Sequence, residues 1–314
     1  MTRQGRPLLN GFLNVLKPPG MTSHDMVDFV RKLAGQRRVG HTGTLDPAAA
    51  GVLPICLGPS TRLAEYVMER EKEYRAEVVL GMETDSGDLE GKVVAEREVT
   101  EEVLGRLPEV LEEFVGEIEQ EPPLRSAIKV GGRRLYELAR AGEEVPSKKR
   151  RVVVHEIRLL SVKLEGGRAR IMLDVRCGKG MYVRALARDI GRRLGVGGCQ
   201  AFLVRRRVGP FRLEEAHPVE DLKRAAKEGR LEELLLPPDV AVQHLPRAVL
   251  AEPAVYPVIH GNDISLRLLE AERVLSVGER IRLYSPDETL VAIGLIKRRV
   301  GGLVCHPEKV FVEA

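Results

Sequence analysis

The sequence predicts an α+β protein in two unequal parts, a large domain of strands and helices followed by a small β-rich module of roughly 65 residues. Three observations carry this. Segments such as "YRAEVVLG" and "ARIMLDVRC" alternate apolar and polar residues with the period of a strand. Others, among them "SHDMVDFVRKL" and "MYVRALARDIGRRLG", repeat apolar residues with the period of a helix. Prolines interrupt the pattern at 234–246, and short runs separated by turn residues follow, as in "ERIRLYSP" and "TLVAIGLIKR". The expected domains are 1–245 and 246–314.

The elements justify themselves in order. "NVLK" is a short apolar strand stopped by Pro18, Pro19 and Gly20. A helix follows over about 23–33, with Thr22 or Ser23 as cap, Asp25 in the favourable first turn, Met26, Val30 and Leu33 on one face, and Gly35 at its end. The next strand places Tyr74, Ala76, Val78 and Leu80 on one face, so Tyr74 begins an inward row. Residues 100–114 read as one acidic amphipathic helix with Val103, Leu107, Val110, Leu111 and Phe114 as its stripe. A basic excursion over about 120–151 mixes turns with a short helix near 135–140. Strands at 152–164 and 168–177 precede a helix whose first turn holds Tyr182 and Arg184. An arginine there gains nothing from the helix dipole, so it needs another partner.

Composition narrows the function classes. With 314 residues, 43% hydrophobic and 31% charged, the chain is that of a globular protein. No stretch approaches the roughly 18 apolar residues of a membrane span, and the first residues lack a signal peptide's hydrophobic block; the expected location is the cytoplasm, away from membranes. Cys56, Cys177, Cys199 and Cys305 form no CxxC pair, which predicts reduced, mostly buried thiols rather than a zinc site or a disulfide framework. The net charge is +4, but Arg37–Arg38, the 148–151 run, Arg205 to Arg207 and Lys297 to Arg299 are local clusters. On one face they would form a track for a polyanion; singly, each is a solvated surface run.

The chemistry-bearing motifs are few. "GHTGTLDPAAAG" and "GKGMY" both lack the GxxxxGK[ST] pattern of a phosphate loop. No GxSxG accompanies His41 and Asp46, and no HExxH occurs, so neither a serine triad nor a catalytic metal is supported. What remains is Asp46, one carboxylate between a glycine-rich loop and the apolar run "AAAGVLPICLG". Asp before Pro is a common turn starter, and spacing alone does not separate a turn cap from a catalyst.

A resemblance separates them. "GFLNVLKPPGMTSHD", "GHTGTLDPAAAGVLPICLG", "KEYRAEVVLGMETDSGDLEG", "QEPPLRSAIKVGGRRLYELARAG", "CGKGMYVRALARDIG" and "FLVRRRVGPF" lie in order from about 11 to 211. Together they resemble the TruB family of bacterial tRNA pseudouridine 55 synthases, and the tail is similar to a PUA domain. The resemblance implies a catalytic domain with a central mixed, mainly antiparallel sheet flanked by helices. It also implies an isomerase that converts uridine 55 in the tRNA T-loop to pseudouridine without a cofactor or a metal.

The same resemblance assigns residues. Asp46 acts at the ribose, either attacking C1′ or removing the C2′ proton to give a glycal. Tyr74 stacks on the target base, and Arg184 pairs with Asp46, lowering its pKa and keeping it ionised. Tyr182 is a pocket tyrosine, Leu203 packs behind the base, His41 stands at the mouth of the site, and Asp88 contacts the substrate. The base must be flipped out of its stack, and the 120–151 excursion, Arg205 to Arg207 and the C-terminal module are the expected RNA contacts. The implied partner is tRNA, bound by a monomer that needs no second protein. Two alternatives share the scaffold, a dyskerin-type synthase directed by a guide RNA and a non-catalytic RNA-binding or folding protein.

Overall fold

The computed structural model describes residues 8–123 and 149–312, together with the backbone of 129–130 and 133–134. The short helix expected near 135–140 and most of the 120–151 excursion lie outside the described residues.

Strands β1 (Gly11–Lys17), β2 (Val39–His41), β3 (Ala50–Leu57), β4 (Lys72–Leu80), β5 (Met82–Thr84), β6 (Val93–Glu96) and β7 (Gly116–Gln120) come first. They are followed by β8 (Lys129–Val130), β9 (Arg133–Arg134), β10 (Arg150–Glu165), β11 (Arg168–Cys177), β12 (Gly198–Val208) and β13 (Phe211–Arg212). The main sheet runs β1-β3-β12-β4-β11-β10-β7, with β2 on β3 and β13 on β12. Its β12–β3 contact is parallel and the other pairings are antiparallel, which makes the sheet mixed and mainly antiparallel as expected.

Alternation in β4 does what the sequence indicated. Tyr74, Ala76, Val78 and Leu80 are buried against Leu173 and Val175 of β11 and the apolar face of the Val183–Leu194 helix. On the other side of the β1–β3 layer, Met26, Val27 and Val30 of the Ser23–Ala34 helix pack on Leu13, Val15, Leu53 and Ile55. That helix starts in a capping box, since Thr22 Oγ1 accepts from Asp25 N–H and the Asp25 carboxylate from Thr22 N–H, and it ends at Gly35 with φ +62°.

The expected single helix over 100–114 is two, Glu101–Gly105 and Leu107–Glu113. Pro108 explains the break, having no N–H for the carbonyl of Leu104 and a ring that crowds it. Leu107, Val110 and Leu111 are nevertheless buried as the stripe required.

Beyond residue 246 a second sheet of six strands spans Arg247–Leu250 to Gly302–Val310 around Leu250, Ile281, Leu283 and Ile296. Its Tyr284, Ile293 and Phe311 share a cluster with Phe12, Val52 and Leu63 of the main sheet layer. The chain is thus α+β with a β-rich C-terminal part. All four cysteines are buried and unpaired. Among the described residues no helix is long and apolar enough to cross a membrane.

Candidate active site

Asp46 lies in a loop whose backbone is held on every side. Thr42 N–H donates to the carbonyl of Pro54 at 3.1 Å. Leu45 N–H donates to Ser23 Oγ at 2.9 Å, and that hydroxyl donates back to the Leu45 carbonyl. Pro47 is bound through its carbonyl by Gly20 N–H and by the buried Lys17 ammonium, which also donates to the carbonyls of Pro18 and Met21. Burial lowers the Lys17 pKa to about 8, with Asp46 opposing the fall.

The largest of these clamps is Arg205. Only 2% exposed, it donates through Nε to Val52 at 2.8 Å and through its two terminal nitrogens to Thr44 and Gly43 at 3.1 Å each. Its guanidinium also faces the Tyr74 hydroxyl. Of the arginine run expected to track RNA, Arg205 is therefore internal, while Arg206 and Arg207 are partly exposed and paired, Arg206 with Asp174 and Arg207 with Glu73. Strand alternation is the reason, since β12 runs through the sheet and points Arg205 into it. Gly51 accepts this closeness, because a Cβ there would lie 2.3 Å from the Arg205 carbonyl oxygen and its φ is +116°.

With its backbone fixed, the Asp46 carboxylate does not cap its own turn. It meets Arg184, 138 residues away, at 2.9 Å from Nε to Oδ2 and 3.3 Å from Nη2 to Oδ1. Arg184 is 5% exposed at the start of the Val183–Leu194 helix, and its Nη1 lies 3.4 Å from Asp88 Oδ2 and 3.4 Å from the Ser86 carbonyl. The partner that the helix dipole withheld is thus a pair of carboxylates. Tyr182, at the preceding N-cap position, is anchored by Gln120, whose Oε1 accepts from its N–H at 2.8 Å and whose Nε2 donates to its carbonyl at 3.1 Å.

Asp46, Tyr74, Tyr182, Arg184 and Leu203 line one cleft of about 370 Å³, with Lys72, Met181 and Gln200 among its other walls. Asp88 stands behind Arg184, bound through its carboxylate by the Ser86 hydroxyl at 2.5 Å. His41 does not line the cleft; its Nδ1 accepts from Gly43 N–H at 3.2 Å at the end of β2, and burial lowers its pKa.

The electrostatics depart from expectation in one respect. Burial pushes the Asp46 carboxyl above its ordinary value of 3.8, and Asp88 adds to the rise while Arg184 opposes it. One guanidinium divided between two acids does not cancel the desolvation of Asp46. Burial likewise raises the Tyr74 hydroxyl to about 12, so that ring enters the cleft neutral.

Lys17 and Gln200 escaped the sequence reading, and Arg205 entered it only as part of a surface cluster. For Arg205 a signal existed, because Leu203 was placed inward and a residue two further along a strand shares its face.

This chain matches the TruB family pseudouridylate synthase N-terminal domain over residues 31–183 and the tRNA pseudouridylate synthase B C-terminal domain over 184–243. It is 50% identical over 253 residues to a tRNA pseudouridine synthase B of Symbiobacterium thermophilum, covering 81% of this chain and 82% of the relative. A Caldanaerobacter subterraneus protein of the same name is 43% identical over 303 residues, covering 96% and 99%. The chain belongs to the TruB family. Among solved structures it superposes on a chain of a Cbf5-Nop10-Gar1 complex with TM-score 0.74 and 29% identity, over 97% of this chain and 86% of that one. An H/ACA RNP bound to a substrate RNA containing 2′-deoxyuridine gives TM-score 0.72 and 27% identity, over 98% and 88%. The pseudouridine-synthase fold implied by the sequence motifs is the fold of this TruB protein.

Proposed function

We propose that this protein converts uridine 55 in the T-loop of tRNA to pseudouridine, with Asp46 as the catalytic carboxylate. The observation that carries the proposal is the Asp46–Arg184 pair at 2.9 Å in a cleft walled by Tyr74 and Leu203. The tRNA substrate rests on the name borne by relatives at 43 and 50% identity.

The reaction breaks the N1–C1′ bond, turns the base over and joins C5 to C1′. Uridine in a folded T-loop reaches the cleft only when flipped from its stack, at a cost of a few kcal/mol that contacts elsewhere offset. Tyr74, fixed by Arg205 and neutral, offers its ring to the base, a stack worth about 1 to 3 kcal/mol. Leu203 closes the opposite side, and Tyr182 adds a wall near the sugar. Asp46 acts in its ionised form by either route, as nucleophile at C1′ or base at C2′. Arg184 orients that carboxylate, and Asp88 orients Arg184 in turn. His41, on the loop margin beside Gly43, stands where the RNA enters.

Residues 1–245 serve as the catalytic domain and 246–314 as a PUA-like RNA-binding module, with the basic excursion over about 120–151 adding contacts to the RNA backbone. Recognition then rests mainly on RNA shape and phosphates, so affinity falls steeply with salt. The protein acts in the cytoplasm as a monomer. A guide-RNA mode is less well supported, because the structures of assembled complexes are 27 and 29% identical to this chain, below the tRNA pseudouridine synthase B relatives.

The test is to incubate the isolated chain with unmodified tRNA and map pseudouridine along the product. Modification at position 55 alone, without added protein or guide RNA, is the expected result. Modification elsewhere, or only with a guide, overturns the proposal.

A further inference from the structure

A second cleft, of about 680 Å³, lies between the Ala64–Met68 helix and the C-terminal sheet. Glu65, Tyr66 and Glu69 form one wall, Arg280, Lys297 and Glu308 the other, and His244 stands where the two parts of the chain join. The acids of this cleft are all engaged, Glu65 with Lys309, Glu69 with Lys179, and Glu308 with Arg280 at 2.6 Å. Two of its bases are not. Among the described residues neither Lys297 nor His244 has an ion pair or a side-chain hydrogen bond. Beside His244 stand Arg70 and Arg282, which also lack a carboxylate partner among the described residues; Arg282 is held instead by the Leu245 carbonyl at 2.8 Å and the Tyr284 hydroxyl at 3.2 Å. Burial lowers the His244 pKa, and the charges of these two arginines lower it further. Other exposed arginines of this protein are answered by acids, as Arg193 is by Glu113 and Arg151 by Glu117. Basic groups that crowd one another with no acid between them repel, and the repulsion turns to advantage when an anion arrives among them.

We propose that this second cleft binds one backbone phosphate of the RNA, held directly by Lys297 and His244 in the field of Arg70 and Arg282. The assignment rests on reading the protein as an enzyme that acts on tRNA. The two clefts lie on either side of one stretch of chain, since Met68 and Lys72 wall the catalytic one while Glu65, Tyr66 and Glu69 wall this one. The ion pair of Glu69 with Lys179, next to Gly180 of the catalytic cleft, ties the rim between them. A helix with its side chains is about 10 to 12 Å across. A nucleic-acid strand advances about 3.4 Å per phosphate, which puts the bound phosphate within about three nucleotides of the flipped uridine. A contact so close to the flipped nucleotide, shared between the main-sheet layer and the C-terminal part, holds the opened strand and offsets part of the cost of flipping. Phosphates are the same in every sequence, so the site fixes the register of the strand and does not choose the base.

The experiment uses the full chain and a T-loop hairpin, and measures binding across a series of salt concentrations for wild type, Lys297→Gln and His244→Gln. Lys297→Gln is expected to weaken binding by roughly threefold to tenfold at low salt and to lower the slope of log affinity against log salt by about 0.7 to 0.9, the share of one phosphate contact. Hairpins in which one phosphate at a time is replaced by a neutral methylphosphonate then locate the contact. At one position within about three nucleotides of the target, the replacement is expected to weaken wild type by the same factor and Lys297→Gln by less than twofold. His244→Gln is expected to show its loss of coupling at that same position. Both variants are expected to melt no lower than wild type, because neither loses a bond within the protein. An unchanged salt slope, losses that multiply at every position, or a fall of several degrees in melting temperature overturns the phosphate site. Pseudouridine mapped on the same hairpin keeps the two readings apart: product without coupling overturns the site alone, and coupling without product overturns the catalytic reading alone.

Discussion

Two aspartate–arginine pairs sit on the same sheet and are built for opposite ends. Asp174 and Arg75 are cross-strand neighbours on β11 and β4, joined by two bonds of 2.8 Å, and Arg206 adds a third at 3.3 Å. Bonding to Arg75 above all holds the Asp174 carboxyl below its ordinary value. Asp46 has one arginine, shared with Asp88, and its carboxyl is pushed the other way, first by burial. A carboxylate surrounded by guanidinium donors is fully occupied and ties strands together. One that is partly satisfied and faces a cleft keeps a lone pair for a substrate. The difference teaches that the number of donors around an acid, rather than the presence of an arginine, separates a strut from a reactive group.

The comparison breaks most sharply by removing each acid in turn. Asp46→Asn is expected to abolish pseudouridine formation, a loss of at least about 10⁴-fold, with tRNA affinity in a filter-binding assay unchanged. Asp174→Asn is expected to keep its activity within a few fold and instead to lose about 1 to 3 kcal/mol of stability by denaturant titration, because it leaves clustered arginines unpaired. Activity lost equally in both would erase the distinction.

Substituting the shared arginine gives the next largest effect. Arg184→Met should lower the single-turnover rate by roughly 10² to 10³, and Arg184→Lys should recover little of it, since an ammonium does not span two carboxylates as a planar fork does. Tyr74→Leu follows, with a loss of roughly tenfold to a hundredfold from the missing stack, whereas Tyr74→Phe retains most of the rate. The pH profile sharpens the contrast further. Activity that needs ionised Asp46 is lost as pH falls through its pKa, so the acid limb lies above 3.8. Asp88→Asn removes a neighbour that raises this pKa and should shift the limb to lower pH, along with a slower plateau. Smallest is Thr22→Ala, which removes half of a capping box whose side chains do not line the cleft and should cost about 1 kcal/mol of stability with the rate changed less than twofold.

Much of this contrast was legible in the residues. The period-two row starting at Tyr74 fixed its inward face, and a cation at a helix N-terminus announced that Arg184 needed a partner beyond its own helix. That the acid is Asp46 followed only from the family resemblance, because 138 residues separate the two and nothing local records their meeting. The direction of the Asp46 shift was not legible, since it depends on how deeply the loop sits and on Asp88 behind the guanidinium. Arg205 was misread as a surface residue because a run of three arginines resembles an RNA track, although alternation from Leu203 already turned it inward. Gln200 gave no such signal, since the bulge beside it, between Gln200 and Phe202, lies in the pairing of β12 with β4 rather than in any residue type. Pro108, by contrast, stood in plain view inside the expected helix and broke it.

The most direct test of the account is a carboxyl titration followed by NMR in protein labelled with ¹³C at the aspartate side chains, with Asp46→Asn and Asp174→Asn used to assign the two resonances. Asp46 is predicted to titrate above 3.8 and Asp174 below it. An Asp46 that titrates at or below the Asp174 value would contradict the claim that a half-satisfied carboxylate, and not a saturated one, is what this cleft presents to its substrate.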